Sequence, residues 1–375
     1  MTTTDQTPPQ NSSGGVAGAG ENAIELKAVE GKSQGRIVRE RFFRHSGAMA
    51  SLVVLAAVLV LAYTSIGAGP LPGWWKYDYR GTNDLLNGGA PTMGLPTWLG
   101  GSGLAWGEHP FGQDTIGKDN FAMVMRGVQV SFNVTIIIGV VAGVIGIVFG
   151  ALSGFFGGLT DGALMRFTDL IITFPVIVIG AVLGKLAGGG NWFYLAVALG
   201  LVTWTSLARL VRAEFLTLRE REFVDAARVA GASNRRIMFR HMLPNAAGVI
   251  IVNTTLLMSI AVLLETALSY LGFGIRQPEV SLGQLISEYQ SAFATRPWLF
   301  WWPGLFIIIL VLAINFIGDG LRDAFDPRQK KIPSAREMDK ALASQESTDS
   351  PDGSRSGGRV SMKKADEQRQ IEKPS

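Results

Sequence analysis

Gly31-Lys32 and Gly184-Lys185 are candidates for binding a nucleotide phosphate, and neither of these two pairs has the sequence that a phosphate-binding loop requires. Such a loop needs a second glycine five positions before the Gly-Lys-Ser end. Leu26 stands at that position before Gly31-Lys32-Ser33, and Gly184-Lys185-Leu186 lacks both the upstream glycine and the hydroxyl. This chain is therefore not expected to hydrolyse ATP itself.

The sequence gives equally little support for a metal site or for catalysis by a cysteine nucleophile. The chain has no cysteine and three histidines, which lie in separate segments without metal-ligand spacing: His45, His109 and His241. Each histidine is predicted to be a surface or interface residue. We expect a chain that is not an enzyme and that holds no cofactor or metal of its own.

The most informative stretch is residues 222–245, with the sequence EFVDAARVAGASNRRIMFRHMLPN. A helix is predicted from Ala213 to Ala230, where charged residues and good helix formers alternate, and Gly231 should end it. Ser233 and Asn234 then offer an N-cap for a second short helix, which Pro244 should stop. A charged helix–turn–helix of this size is too polar for lipid and too short for a domain, which indicates a docking element.

The elements that position this hairpin are apolar runs. The chain of 375 residues is 47% hydrophobic and only 17% charged, and a membrane-crossing helix needs about 20 apolar residues. Six runs approach or exceed that length: Gly47–Ile66, Val134–Phe156, Ala163–Leu186, Trp192–Ala208, Ala246–Leu264 and Trp298–Ile317. These runs are apolar all round, unlike the helices of a soluble bundle. The predicted fold class is an all-α membrane protein with six transmembrane helices.

Six spans place both termini on the same side of the membrane, and the basic residues indicate which side. With the termini inside, the inner segments carry 18 Lys and Arg residues and the outer segments carry seven. Basic residues concentrate in cytoplasmic loops. Both termini and the 222–245 hairpin are therefore predicted to be cytoplasmic.

Glycines, a proline and a few charges interrupt the apolar runs. A ladder of glycines, each three or four residues after the last, runs through the second span and just past its end, and it allows close helix packing either within the chain or against a partner subunit: Gly139, Gly143, Gly146, Gly150, Gly154 and Gly158. Pro175 should kink the third span. The charges near the span ends are predicted to snorkel to the membrane surface: Asp169, Lys185, Glu265 and Asp319.

Four motifs in chain order resemble the permease subunits of ABC importers. Asp225-Ala226-Ala227, Gly231 and Leu243-Pro244 match the family's cytosolic EAA loop, with aspartate for the first glutamate. Residues 109–119 are similar to the GTD-x-x-GRD signature, although Gln113 replaces threonine and Lys118 replaces arginine. Residues 265–274 and 315–327 are similar to two further family segments. The resemblance covers residues 36–331, with poor matching in 67–105, and is nearest to the C-type permeases of oligopeptide, dipeptide and nickel importers.

This resemblance implies a type I importer permease fold whose EAA loop, residues 211–245, forms a coupling helix. The residues implied to couple to the ATPase are Glu222, Asp225, Ala226, Ala227, Gly231, Ser233, Arg236, Arg240, Leu243 and Pro244. The implied partners are a second homologous permease in a heterodimer, two ATPase subunits that bind ATP and Mg, and an extracytoplasmic binding protein that delivers peptide. No nucleic-acid partner is implied. The implied location is the bacterial inner or plasma membrane.

The same features define an expected domain organisation and leave two functional alternatives. We expect disordered cytosolic tails over 1–35 and 332–375, a first transmembrane helix over 36–66, an extracytoplasmic loop over 67–120 and a core over 121–331. Within that loop, residues 67–105 are interpreted as a poorly ordered surface loop with interfacial tryptophan anchors, or as a segment that contacts the binding protein or reaches toward the substrate path. An importer of nickel or another small solute is one alternative function. A stand-alone channel or ion-coupled carrier is the other, although no charge lies at the middle of any predicted span.

Overall fold

The computed structural model of the protein describes residues 34–94, 103, 105–186 and 191–326. The tail predicted over 332–375, nearly all of the tail predicted over 1–35, and Trp98 lie outside these described residues.

Helices form most of the described chain. In order they are α1 (Gln34–Arg44), α2 (Ser46–Ser65), α3 (Asn120–Phe156), α4 (Gly158–Thr173), α5 (Val176–Leu186), α6 (Trp192–Thr203), α7 (Thr205–Arg219), α8 (Glu222–Val229), α9 (Asn234–Tyr270), α10 (Leu282–Tyr289) and α11 (Trp298–Phe325). A small antiparallel hairpin follows α2 and consists of β1 (Gly67–Ala68) and β2 (Leu71–Pro72).

Four helices are long and apolar enough to cross a membrane, namely α2, α3, α9 and α11. The pairs α4 with α5 and α6 with α7 meet the same test only when each pair is taken together. The described residues thus hold four such segments, or up to six if each bent pair is one span. The prediction of an all-α, multi-pass membrane protein is confirmed.

The bend between the two helices of each pair has an identifiable cause. The predicted kink at Pro175 is confirmed, but the angle between α4 and α5 reaches 79°, because Phe174 takes an extended conformation with ψ 132° as residues before proline do. The predicted span Trp192–Ala208 is not one straight helix, since α6 and α7 meet at 43° around Trp204. There the Trp204 indole donates to the Leu201 carbonyl oxygen at 3.0 Å and competes with the helical hydrogen bonds.

The glycine ladder of α3 packs within the chain. A Cβ added to Gly150 would lie 2.5 Å from the Ala208 carbonyl oxygen, and one added to Gly154 would lie 2.6 Å from Phe215 Cβ, both on α7. Gly139 faces Met258 on α9 in the same way. Of the two interpretations of this ladder, the structure supports intrachain packing for these glycines, while a Cβ on Gly158 would meet nothing within 4 Å.

The chain before α3 is held by a buried carboxylate. The Asp119 side chain caps α3 by accepting from the Ala122 backbone N–H at 2.8 Å, and it also accepts from the Trp75 indole at 2.9 Å. His109 Nδ1 lies 2.7 Å from the other Asp119 oxygen, and both side chains are buried. Burial raises the pKa of Asp119, against the opposing effect of these hydrogen bonds. The prediction that His109 is a surface or interface residue is wrong, because this side chain is buried within the chain itself.

Side chains of the 109–119 signature also fix the preceding segment. Gln113 donates to the Asp84 carbonyl oxygen and accepts from the Leu86 N–H, while Asp114 accepts from the N–H groups of Ile116 and Lys118. These bonds hold a stretch whose described residues form only short elements of regular secondary structure. For the described residues of 67–105, the interpretation as a poorly ordered loop is wrong.

Glu265 does not snorkel. Its side chain is 0% exposed, and its two oxygens accept hydrogen bonds from Ser131 at 2.9 Å and from Ser269 at 2.7 Å. Ser131 also accepts from the backbone N–H of Leu282, the first residue of α10. A buried carboxylate needs such partners, so Glu265 ties together α3, α9 and the start of α10.

Candidate functional site

Residues 222–245 form a hairpin, hereafter the 222–245 hairpin, that is anchored on its inner side by apolar side chains. Val224 on α8, together with Ile237 and Met242 on α9, is 0% exposed. They pack in one buried cluster with Phe215 on α7 and Phe155 on α3. At a few tens of cal/mol per Å² of apolar surface buried, three fully buried side chains contribute several kcal/mol in all, so the hairpin is held firmly against these helices.

An ion pair stiffens the base on which the 222–245 hairpin stands. Arg212 on α7 places Nε and Nη2 at 2.5 and 2.6 Å from the two carboxylate oxygens of Asp161 on α4. Ser153 on α3 donates to the same carboxylate. A bidentate pair fixes geometry as well as distance, and this one joins three helices beside the buried cluster.

Gly231 makes the turn of the 222–245 hairpin. It has φ +77°. The Gly231 N–H donates to the Arg228 carbonyl oxygen, and the Ala232 N–H donates to the Ala227 carbonyl oxygen. This pattern of two bonds around a left-handed residue is the Schellman motif that ends many helices. A Cβ added at Gly231 would meet nothing within 4 Å, so the backbone angle, and not space, requires glycine here.

The predicted boundaries of the two helices in this region are partly wrong. The helix predicted from Ala213 to Ala230 breaks between α7 and α8, where Arg221 has ψ 144°. Ser233 caps the next helix by accepting from the Arg236 N–H at 3.4 Å, as predicted. That helix does not stop at Pro244 but continues to Tyr270 as α9.

A π-helical turn over Ile237–Met242 explains why Pro244 does not end the helix. In this turn the Leu243 N–H reaches back five residues to the Met238 carbonyl oxygen. In an ordinary helix a proline ring clashes with the carbonyl group four residues earlier, and the proline has no N–H to donate to it. The wider π-turn moves that carbonyl group away, so the helix can continue. Pro244 then stands in the second position of the ordinary α-helical stretch that follows, where a proline is tolerated.

The predicted coupling residues lie on the outer side of the 222–245 hairpin or at its turn. Those that are exposed are Glu222, Asp225, Ala226, Gly231, Ser233, Arg236, Arg240 and Pro244, whereas Ala227 and Leu243 are half-buried. Asp225 pairs with Arg228 at 3.0 Å, with both side chains in contact with solvent. Such a surface pair contributes little stability, which leaves both charges available to a partner.

The sequence interpretation missed two apolar side chains on the same outer surface. Val229 is 91% exposed and Phe223 is 37% exposed. Because Val224 is buried, a residue five positions later on the same helix points well away from the buried face, and a helical projection of α8 would have found Val229. The 222–245 hairpin therefore presents an apolar tip between charged residues, which suits a protein partner better than solvent.

No metal site accompanies this surface. Across 34–94, 103, 105–186 and 191–326, no group of three His, Asp or Glu side chains could hold a metal ion.

Two family models match the chain. The model of "Binding-protein-dependent transport system inner membrane component" matches residues 146–331, and the model of the "N-terminal TM domain of oligopeptide transport permease C" matches residues 33–90. The second match extends to residue 90, so the expectation that residues 67–105 match the family poorly is wrong for their first part.

Relatives match most of the chain. The "Oligopeptide transport system permease protein OppC" of Escherichia coli K12 is 38% identical over 310 residues, which cover 83% of this chain and 96% of that protein. The proteins of the same description from Haemophilus influenzae and Mycobacterium tuberculosis are 35% and 36% identical, over 82% and 81% of this chain and 93% and 98% of their own lengths. A solved chain of the MetNI methionine ABC transporter, in an inward-facing conformation, is 21% identical with a TM-score of 0.46, over 54% of this chain and 96% of that chain.

Proposed function

The chain belongs to the inner-membrane components of binding-protein-dependent transport systems, and we propose that it is one of two permease subunits of an ATP-driven importer of oligopeptides or dipeptides. In this role it forms half of the translocation pathway and hydrolyses no ATP itself. The oligopeptide permeases of three bacteria, each at least 35% identical over more than 80% of this chain, support the substrate class.

The observation that carries the coupling role is the anchoring of the 222–245 hairpin. Its inner side is fully buried against α3, α7 and α9, while its outer side exposes Glu222, Asp225 and Val229. A partner that pushes on such a hairpin moves the attached helices with it, because close-packed interfaces transmit displacement. The predicted coupling residues are therefore proposed to contact an ATPase subunit.

The proposed topology has six spans, with each bent pair counted as one. The bias of Lys and Arg toward alternate loops supports cytoplasmic termini and a cytoplasmic 222–245 hairpin. The first span then lies within 36–66, the extracytoplasmic segment within 67–120, the core within 121–331 and the tails at 1–35 and 332–375. The proposed location is the bacterial inner or plasma membrane.

The proposed partners follow from the family. They are a second homologous permease, two ATPase subunits that bind ATP and Mg, and an extracytoplasmic binding protein that delivers the peptide. This chain is proposed to hold no cofactor.

One experiment tests both assembly and coupling. The complex is purified from native membrane, its chains are identified by mass spectrometry, and ATP-driven uptake of trialanine is measured in proteoliposomes with the binding protein. Val229→Asp places a charge on the exposed tip without a packing cost, so we expect normal assembly of the permease pair but loss of ATPase binding and of uptake.

Leu159→Asp is the matched control, since Leu159 is 94% exposed on α4 and lies outside the 222–245 hairpin. It should retain ATPase binding and uptake. Normal ATPase binding and uptake by Val229→Asp would contradict the coupling role, and uptake by the isolated chain would contradict the importer itself.

A further inference from the structure

A cavity of about 490 Å³ lies where the third and fourth spans are broken. Val176, the first residue of α5, comes from the break at Pro175, and Thr203 and Thr205 come from the break around Trp204. The opposite wall is α9, which contributes Asn253. Two independent breaks in the helical backbone thus meet at one space.

The backbone at the fourth span's break is partly satisfied by side chains. Thr203 donates to the Leu199 carbonyl oxygen at 3.0 Å, and the Trp204 indole donates to the Leu201 carbonyl oxygen at the same distance. Irregular backbone at membrane depth is tolerated only where protein surrounds it or where it lines a water-filled cavity. The breaks are therefore expected to face water, and not lipid.

The cavity also offers unused hydrogen-bonding groups. Among the described residues, neither the Ser206 hydroxyl nor the Thr205 hydroxyl has a hydrogen-bond partner, and Ser206 is exposed. Asn253 uses one amide N–H on the Val249 carbonyl oxygen at 2.7 Å. Its second N–H and its amide oxygen are left for a ligand.

The walls carry no charge. Every side chain that lines the cavity is either aliphatic or a neutral hydrogen-bonding group. A peptide main chain presents N–H and C=O groups that need partners wherever water is removed. Neutral donors and acceptors serve the main chain of any peptide, whereas a fixed charge would select among side chains.

We propose that this cavity is the part of the translocation pathway that this chain supplies, and that Ser206 and Asn253 bind the peptide main chain there. The inference rests on the proposed importer function. It adds the location of the pathway within this chain and the kind of peptide that the pathway accepts. Because the walls are neutral, this segment of the pathway does not discriminate between cationic and anionic side chains.

The first test measures water access and needs no transport assay. Since the chain has no cysteine, Ser206→Cys and Asn253→Cys each introduce a single thiol, and an impermeant methanethiosulfonate reagent reacts with the thiolate that forms only in water. Val140→Cys is the control that is expected to face lipid, because Val140 is 59% exposed within the apolar run of α3 and lies outside the cavity. In the complex in lipid nanodiscs, both cavity thiols should react at least about tenfold faster than the control. A rate equal to the control at either position overturns the inference.

The second test measures selectivity in proteoliposomes. The ratio of Ala-Lys-Ala to Ala-Glu-Ala uptake, relative to the wild-type ratio, should rise about tenfold in Asn253→Asp and fall about tenfold in Asn253→Lys, because a fixed charge in a confined site acts at short range. Asn191→Asp adds the same charge at the N-cap of α6, outside the cavity, and keeps that cap. Its ratio should stay within about twofold of the wild type.

The outcomes separate this inference from the importer function. If the Asn253 variants show peptide-stimulated ATP hydrolysis with unchanged uptake ratios, the pathway assignment is wrong and the importer function stands. If the wild-type complex takes up neither tripeptide, the proposed function itself has failed.

Discussion

Replacing Gly231 by alanine tests the left-handed turn of the 222–245 hairpin without any packing effect. Gly231 has φ +77°, and an added Cβ would meet nothing within 4 Å. The cost of the substitution is therefore the cost of the backbone angle, about 1–2 kcal/mol for an ordinary L-residue. Asparagine adopts left-handed backbone angles more readily than other non-glycine residues, so Gly231→Asn should cost roughly half as much as Gly231→Ala.

The assay measures the affinity with which the ATPase subunits bind the permease pair in lipid nanodiscs. If the hairpin must keep this turn to dock, a penalty of about 1–2 kcal/mol weakens binding by roughly 5- to 30-fold. Gly231→Asn should weaken it by less than about fivefold. ATP-driven peptide uptake at limiting ATPase concentration should fall in the same order.

Gly162→Ala on α4 is the matched control. A Cβ at Gly162 also meets nothing within 4 Å, but this residue is helical, so alanine there should stabilise the helix by about 0.5–1 kcal/mol and leave ATPase affinity unchanged. Wild-type affinity in Gly231→Ala would refute the reasoning. Equal losses in the alanine and asparagine variants would refute the role of the left-handed angle.

Three further changes test the packing around the site, each by the free energy of unfolding of the purified chain in detergent. Gly150→Ala should lose about 1–3 kcal/mol, because the new methyl group meets backbone of α7. Glu265→Leu should lose a similar amount, because it leaves the buried hydroxyls of Ser131 and Ser269 without their acceptor. Trp75→Phe should lose about 1.5–3 kcal/mol with the hydrogen bond to the Asp119 carboxylate.

Each of these changes has a control in the same region. Gly162→Ala should not destabilise, and Glu265→Gln should cost less than leucine because its amide oxygen still accepts. Trp74→Phe should stay within about 0.5 kcal/mol, since Trp74 is 57% exposed. Equal losses in Trp74→Phe and Trp75→Phe would mean that the Asp119 hydrogen bond is not what stabilises this part of the chain.

Features that depend on local composition were predictable. The apolar runs predicted the membrane-crossing helices, Gly231 and Ser233 predicted the turn and cap of the 222–245 hairpin, and Pro175 predicted a kink. Each of these follows from one residue type and its immediate neighbours. The family motifs then identified which part of the chain to regard as functional.

Features that depend on tertiary contacts were not predictable. Pro244 does not end its helix, because a π-turn upstream accommodates it. Glu265 is buried, because Ser131 from the distant helix α3 donates to it together with the neighbouring Ser269. No proline or glycine lies at the bend around Trp204, so the residue types there did not predict it. In each case the deciding partner lies far away in sequence or in a hydrogen-bond pattern that composition does not specify.

The unbroken run of α9 from Asn234 to Tyr270 fixes a rotational phase between its two ends. Its 37 residues span about 55 Å, and each residue turns the helix by about 100°. An insertion or deletion of one residue between Asn234 and Glu265 would therefore rotate Glu265 away from Ser131 on α3 while the start of the helix stayed in register. The π-turn at Ile237–Met242 is itself a one-residue widening of this kind. Length changes should accordingly accumulate before α3 in related chains and be excluded from α9.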